Sequence, residues 1–167
     1  ELDDEIAEFI YSKGGRPAFK GYNGFPASTC ISIDEQVVHG IPGDRSLKEG
    51  EIVSVDIGVE LDHYYGDAAK SFPVGTVSHD KTRLLQVTKE SLDLAVEAAQ
   101  EGHRLSDIGH AVQKHVEAAG FSVVRDLVGH GIGTSMHEPP QIPNYGPPGK
   151  GPRLKAGMVF AIEPMVN

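Results

Sequence analysis

A chain of 167 residues, 39% hydrophobic and 23% charged, has room for a real core and the make-up of one globular domain, or most of one. Its net charge of −9 comes without a basic cluster, which argues against nucleic acid and anionic membrane as partners and suits a cationic ligand, a metal or a substrate amine. The one cysteine, Cys30, excludes an internal disulfide and makes a reducing compartment, the cytoplasm, the expected setting, and no apolar run is long enough to span a bilayer.

In chain order, Leu2, Ile6, Phe9 and Ile10 form one face of a short helix that Gly14–Gly15 ends. The sequence opens inside this helical pattern and stops at Asn167 just past an apolar run, so a piece of a longer protein is expected. Residues 16–28 read as a loop rich in Gly, Pro and aromatics, and 29–33 as a short strand. His39 follows within Val37-Val38-His39-Gly40-Ile41-Pro42, where a lone histidine is more often a packing or turn residue than a catalytic one. Val53, Val55, Ile57 and Val59 then alternate with Ser54, Asp56, Gly58 and Glu60, the period of a strand with one apolar face. A second strand over 64–72, folded back about Leu61–Asp62, would pair position i with 123 − i and set Asp56 opposite Asp67. Cross-strand Cβ atoms lie roughly 5 Å apart, so two such carboxylates either share a proton or bind a cation.

Helices are predicted over 81–101, after an N-cap at Asp80, and from Ser106–Asp107 to Gly120. His103, His110 and His115 fall outside any ligand spacing and read as structural or solvated. Strands are predicted at 121–128 and 158–162. This order is α+β, with helices packed on one face of a mainly antiparallel sheet. One pattern occurs twice: LKEGEIVSVDIG and LKAGMVFAIEP each place an acid six residues after a turn glycine, Gly50 to Asp56 and Gly157 to Glu163, which hints at two related halves.

The second half adds ligand types. His130 stands between Gly129 and Gly131, His137 precedes Glu138-Pro139-Pro140, and Glu163 precedes Pro164. Glycines beside a histidine suit positive φ or a close approach by another group. Carboxylates with a minority of imidazole favour harder divalent ions such as Mn, Fe(II) or Co over a thiolate zinc site. Shared carboxylates can hold two ions roughly 3.5–4 Å apart and so activate water.

CISIDEQVVHGIP, VSVDIG, YYGDAAKSF, GHGIG, MHEPPQI and GMVFAIEPM, in this order, resemble the motifs of type I methionine aminopeptidases from Leu2 to Asn167. The resemblance implies the pita-bread fold, two pseudo-symmetric α+β halves enclosing a dinuclear site, with residues 1–167 a single partial catalytic domain. It implies two divalent ions (Co, Mn, Fe or Zn), Asp56 and the bridging Asp67 on one, and His130 and Glu163 on the other. A fifth, bridging glutamate of the family has no counterpart before Asn167, so these 167 residues alone are expected to bind one ion and to lack activity. The implied reaction removes N-terminal methionine from peptides and nascent chains. A metal-bridging hydroxide attacks the scissile carbonyl, Glu163 shuttles the proton, His137 stabilises the oxyanion and His39 contacts the substrate amide. The methionine pocket would draw on Tyr22, Phe25, Cys30 and Met136, beside the substrate-facing His39 and His137. Met136 stands where an aromatic is usual, and Phe19 where a small thiol is often found. A monomer that can engage the ribosome is the expected state. Three rivals are an X-Pro aminopeptidase of the same fold, a non-catalytic pita-bread module that binds peptides, and a thiol hydrolase built on Cys30 and His39.

Overall fold

The computed structural model describes residues 1–167, which fall into two compact units, 1–79 with 133–136, and 80–132 with 137–167. In the first, α1 (Leu2–Ser12) has three acids, Asp3, Asp4 and Glu5, in its first turn, where the helix dipole favours negative charge. The Asp3 carboxylate accepts from the backbone N–H of Ser28 (3.0 Å) and of Thr29 (2.7 Å) and from the Thr29 hydroxyl (2.8 Å). Ser28 and Thr29 are fully buried, so this one carboxylate fixes the end of the long loop where β2 must start.

That loop contributes β1 (Arg16–Pro17) and a 3-10 turn (Tyr22–Gly24) before β2 (Cys30–Ile33). β3 (Ile52–Leu61) is the centre of a four-stranded antiparallel sheet, with β4 (Tyr64–Pro73) along one edge and β1 and β2 in succession along the other. The β3–β4 hairpin turns at Asp62–His63, two residues at φ 51° and 67°, rather than at Leu61–Asp62. A two-residue hairpin turn of this kind needs positive φ at both centres, which Asp and His tolerate and Leu does not. The register therefore shifts by two: Asp56 lies opposite Ala69, and Asp67 opposite Gly58.

The second unit packs α2 (His79–Ala98) and α3 (Leu105–Ala118) on a small sheet. Its core joins Val87 and Ala95 of α2 to Ile108, Val112 and Val116 of α3, and these to Val123, Ile142 and Leu154. His115 Nε2 meets Glu90 Oε2 at 2.9 Å across the two helices, His110 hydrogen-bonds the Gly146 carbonyl and His103 that of Ala98. The sheet runs β6 (Glu138–Pro143), β5 (Val128–Gly131), β7 (Phe160–Ala161), antiparallel throughout.

Two predicted strands are reassigned. Residues 121–127 make only a bridge, Val123 to Val166, held by bonds to the last residues of the chain, and regular pairing starts at Val128. The predicted strand at 158–162 contracts to Phe160–Ala161. β6 is a strand that its prolines conceal in the sequence. Pro139, Pro140 and Pro143 cannot donate to a ladder, but at the edge of a three-stranded sheet they need not.

The doubled LKxG pattern has a structural counterpart. Gly50 and Gly157 both have φ 90°, and each turn closes with the same bond, Glu51 N–H to the Lys48 carbonyl and Met158 N–H to the Lys155 carbonyl, both 3.2 Å. These are turns whose third residue must be glycine-like, each feeding the segment that carries an acid.

Candidate functional site

In the first unit the chemistry lies on one face of β3. Asp56 is paired with Cys30 on one side and Ala69 on the other, and Gly58, two residues on, is paired with Asp67. The shift of two preserves parity, so Asp56 and Asp67 share a face as diagonal neighbours, at roughly 7–8 Å between strands. Both are half-buried. Phe19 and Met136 cover part of this face. A Cβ built on Gly58 would lie 2.5 Å from the Phe19 ring and 2.8 Å from the Met136 methyl group. The absence of a side chain at Gly58 thus seats an aromatic and a thioether beside two carboxylates.

Cys30, 4% exposed, faces this patch. Burial, then the nearby carboxylates of Asp56 and Asp67, push its thiol up to about 12. Buried and held protonated at neutral pH, it lacks the activated thiolate that the thiol-hydrolase reading requires.

Tyr22 and Phe25 sit at the ends of the 3-10 turn, closed by Phe25 N–H donating to the Tyr22 carbonyl at 2.9 Å, with Tyr22 exposed and Phe25 half-buried. His39 is exposed, at φ 58°. Its neighbour Gly40 locks it to β2: Ile31 N–H donates to the Gly40 carbonyl at 2.8 Å, and Gly40 N–H to Ser32 Oγ at 3.0 Å. Any Cβ at Gly40 would overlap the Ile31 carbonyl, so the glycine after His39 is a packing requirement.

In the second unit His130 is buried at the middle of β5. Its flanking glycines are there for close approach and not for positive φ: a Cβ on Gly129 would overlap the Ala161 carbonyl, and one on Gly131 the Pro139 carbonyl. His130 Nδ1 lies 2.8 Å from the Gly131 carbonyl. A carbonyl only accepts, so Nδ1 is the donor in this bond, which leaves Nε2 as the ring atom available to a ligand. Nε2 lies 3.3 Å from Glu163 Oε1. An imidazole nitrogen and a carboxylate oxygen at that distance are bridged by a cation, either a proton or a metal. The separation fits adjacent ligands on one ion, about 3.0–3.4 Å for bonds of about 2.1 Å. The donor set therefore fits a divalent metal, with the second nitrogen of His130 oriented by the carbonyl of the adjacent Gly131. The His137 ring stacks obliquely on that of His130, centroids 4.3 Å apart, and His137 itself is exposed.

Each unit thus assembles part of the expected set: Cys30, Asp56, Asp67 and Met136 in one, His130, His137 and Glu163 in the other. Sequence reasoning missed Asn144. It is 1% exposed and donates from Nδ2 to the Glu163 backbone carbonyl at 2.7 Å. In the sequence it reads as an ordinary loop residue of Pro143-Asn144-Tyr145-Gly146, with no signal to distinguish it.

The chain matches metallopeptidase family M24 over residues 1–167. It is 58% identical to methionine aminopeptidase 1 of Bacillus subtilis over all 167 residues, spanning 67% of that protein's length. It superposes on a crystal structure of methionine aminopeptidase from Rickettsia prowazekii with a TM-score of 0.98 at 46% identity, covering 99% of this chain and 67% of that one. Against a prolidase from Pyrococcus furiosus the TM-score is 0.78 at 27% identity, covering 98% of this chain and 48% of that one.

Proposed function

Because the chain belongs to metallopeptidase family M24 and, within it, to the pita-bread methionine aminopeptidases, we propose that it removes N-terminal methionine from peptides and nascent proteins by hydrolysis. The observation that carries the reading is the His130–Glu163 pair, whose donors are oriented for a cation. Asp56, Asp67, His130 and Glu163 would hold two divalent ions, drawn from Co, Mn, Fe and Zn, with residues 1–167 forming a single partial catalytic domain that spans 67% of the length of the Bacillus subtilis relative. Such ions, when bound, supply Lewis acidity and lower the pKa of coordinated water.

The protein's own groups do the rest. Glu163 is the carboxylate that takes the proton from the attacking water. His137, exposed beside His130, donates to the developing oxyanion, and a preorganised donor of this kind is worth about 2.7–4 kcal/mol. His39, fixed by Gly40 at the edge of β2, contacts the substrate amide. Phe19, Cys30 and Met136, with Tyr22 and Phe25, make the pocket for the methionine side chain, whose thioether suits sulfur and aromatic walls. The substrates are peptide N-termini, including chains at the ribosome, met in the cytoplasm by a monomer. No helix of the structure is long and apolar enough to cross a membrane.

The test compares Met-Ala-Ser with Ala-Pro-Ala on the intact enzyme, with and without added divalent metal. Metal-dependent release of methionine from the first, at least ~100-fold faster than cleavage of the second, is expected. Preference for Ala-Pro-Ala would reassign the enzyme to X-Pro cleavage, and cleavage of neither would support a peptide-binding module.

A further inference from the structure

We propose that Asn144 is a positioning residue for this reaction, setting the Glu163 carboxylate against His130 by holding the Glu163 backbone. The inference rests on Glu163 being a metal ligand, as read above.

Glu163 lies two residues beyond β7, where regular pairing has ended, and the next residue, Pro164, has no N–H. Regular pairing thus ends at Ala161 and resumes only at the Met165–Val166 bridge to Val123–Val124, which leaves the Glu163 carbonyl between the two. The Asn144 amide supplies the missing restraint, at 2.7 Å to the Glu163 carbonyl. A fully buried amide is costly to leave unsatisfied, so the bond is strongly preferred over any alternative.

Asn144 is itself immobilised from behind. A Cβ on Gly109 of α3 would overlap the Pro143 carbonyl and lie 2.8 Å from the Tyr145 nitrogen. The helix therefore accepts the 143–145 backbone directly against its own, with no side chain between. On the other side Ile142, 1% exposed, is paired with Gly129, the residue before His130. One short segment thus contacts the helix core, the strand carrying His130 and the carbonyl of Glu163. The separation between the two ligands is set by this frame and not by the ion alone. A partner that orients a ligand typically contributes 10–100-fold to metal affinity.

The experiment uses Asn144→Asp in the intact enzyme. The variant has the same shape, but a carboxylate cannot donate to a carbonyl. Mn(II) affinity is measured calorimetrically, and the visible spectrum of the Co(II)-loaded protein reports ligand geometry. Thermal melting establishes that the variant folds, and if it does not, Asn144→Ala, which brings no charge, is read in its place. Glu163→Gln is the control. The expected result is a Kd for Mn(II) raised about 10–100-fold with an altered Co(II) spectrum in the Asn144 variant, and a loss at least as large in the control. Weakened binding in Glu163→Gln with unchanged affinity and spectrum in a folded Asn144 variant would leave Glu163 a ligand and overturn the positioning role. Unchanged binding in Glu163→Gln itself would overturn the ligand assignment, and the positioning role with it.

Discussion

At the scale of single residues, the proposed ligands and the proposed donor differ in what their loss should do. Asp67→Asn removes the charge of a ligand expected to bridge, and kcat/KM on Met-Ala-Ser should fall at least ~100-fold together with bound metal. Activity within a few-fold of the parent would end that assignment. His137→Ala, by contrast, should lower kcat by roughly 10²–10³ and leave the metal content as it was. A stripped ion would mean that His137 and not His130 is the ligand. Gly58 offers a third case. Its strand backbone accepts alanine, but the new methyl group meets Phe19 and Met136, whose flexible ends must give way. Gly58→Ala should raise KM for methionine substrates severalfold and destabilise by about 1–3 kcal/mol, as overpacking does. Kinetics on Met-Ala-Ser and a urea melt together check it.

At the scale of elements, the start of α3 depends on one acid. Asp107 accepts from the backbone N–H of Arg104 at 2.8 Å and of Gly149 at 2.6 Å, and these two bonds, in that order, hold its carboxyl below the usual range. A depressed carboxylate contributes stability that is fully present above its unfolded pKa of about 3.9 and is lost as pH falls through the folded value. Asp107→Ala should therefore cost about 1–2 kcal/mol at pH 7, the loss of a cap. The difference from the parent should shrink as urea melts are taken below about pH 4. A difference that persists undiminished to pH 2 would show that the side chain acts through packing and not through charge. β5 makes the complementary case. Gly129 and Gly131 have ordinary φ, yet each lies against a carbonyl of a neighbouring segment, so the pattern around His130 reports crowding and not a turn.

At the scale of the whole molecule, a bound ion adds its binding free energy to stability, about 2.7 kcal/mol for an ion at 100 times its Kd. Chelation should lower the melting temperature of the metal-loaded protein, and readdition of Mn(II) should restore it. The sequence by itself determined the class α+β, the three helices, the β3–β4 hairpin and the doubled Lys-Gly turn, because periodicity, caps and glycine act over a few neighbours. It also named the candidate ligands, because six motifs agree with one family. Tertiary structure alone decided the rest. The hairpin register followed which two residues could stand at positive φ, and not the centre of the polar stretch. β6 exists because an edge strand tolerates proline, and edges are defined only once a sheet is assembled. The apolar cover over Asp56 and Asp67, and the Asn144 bond behind Glu163, join residues 117 and 78 positions apart from Phe19 to Met136 and from Gly58 to Met136, and 19 apart from Asn144 to Glu163. No local pattern encodes such pairs, since each partner is chosen by shape and hydrogen bonding after the chain has folded.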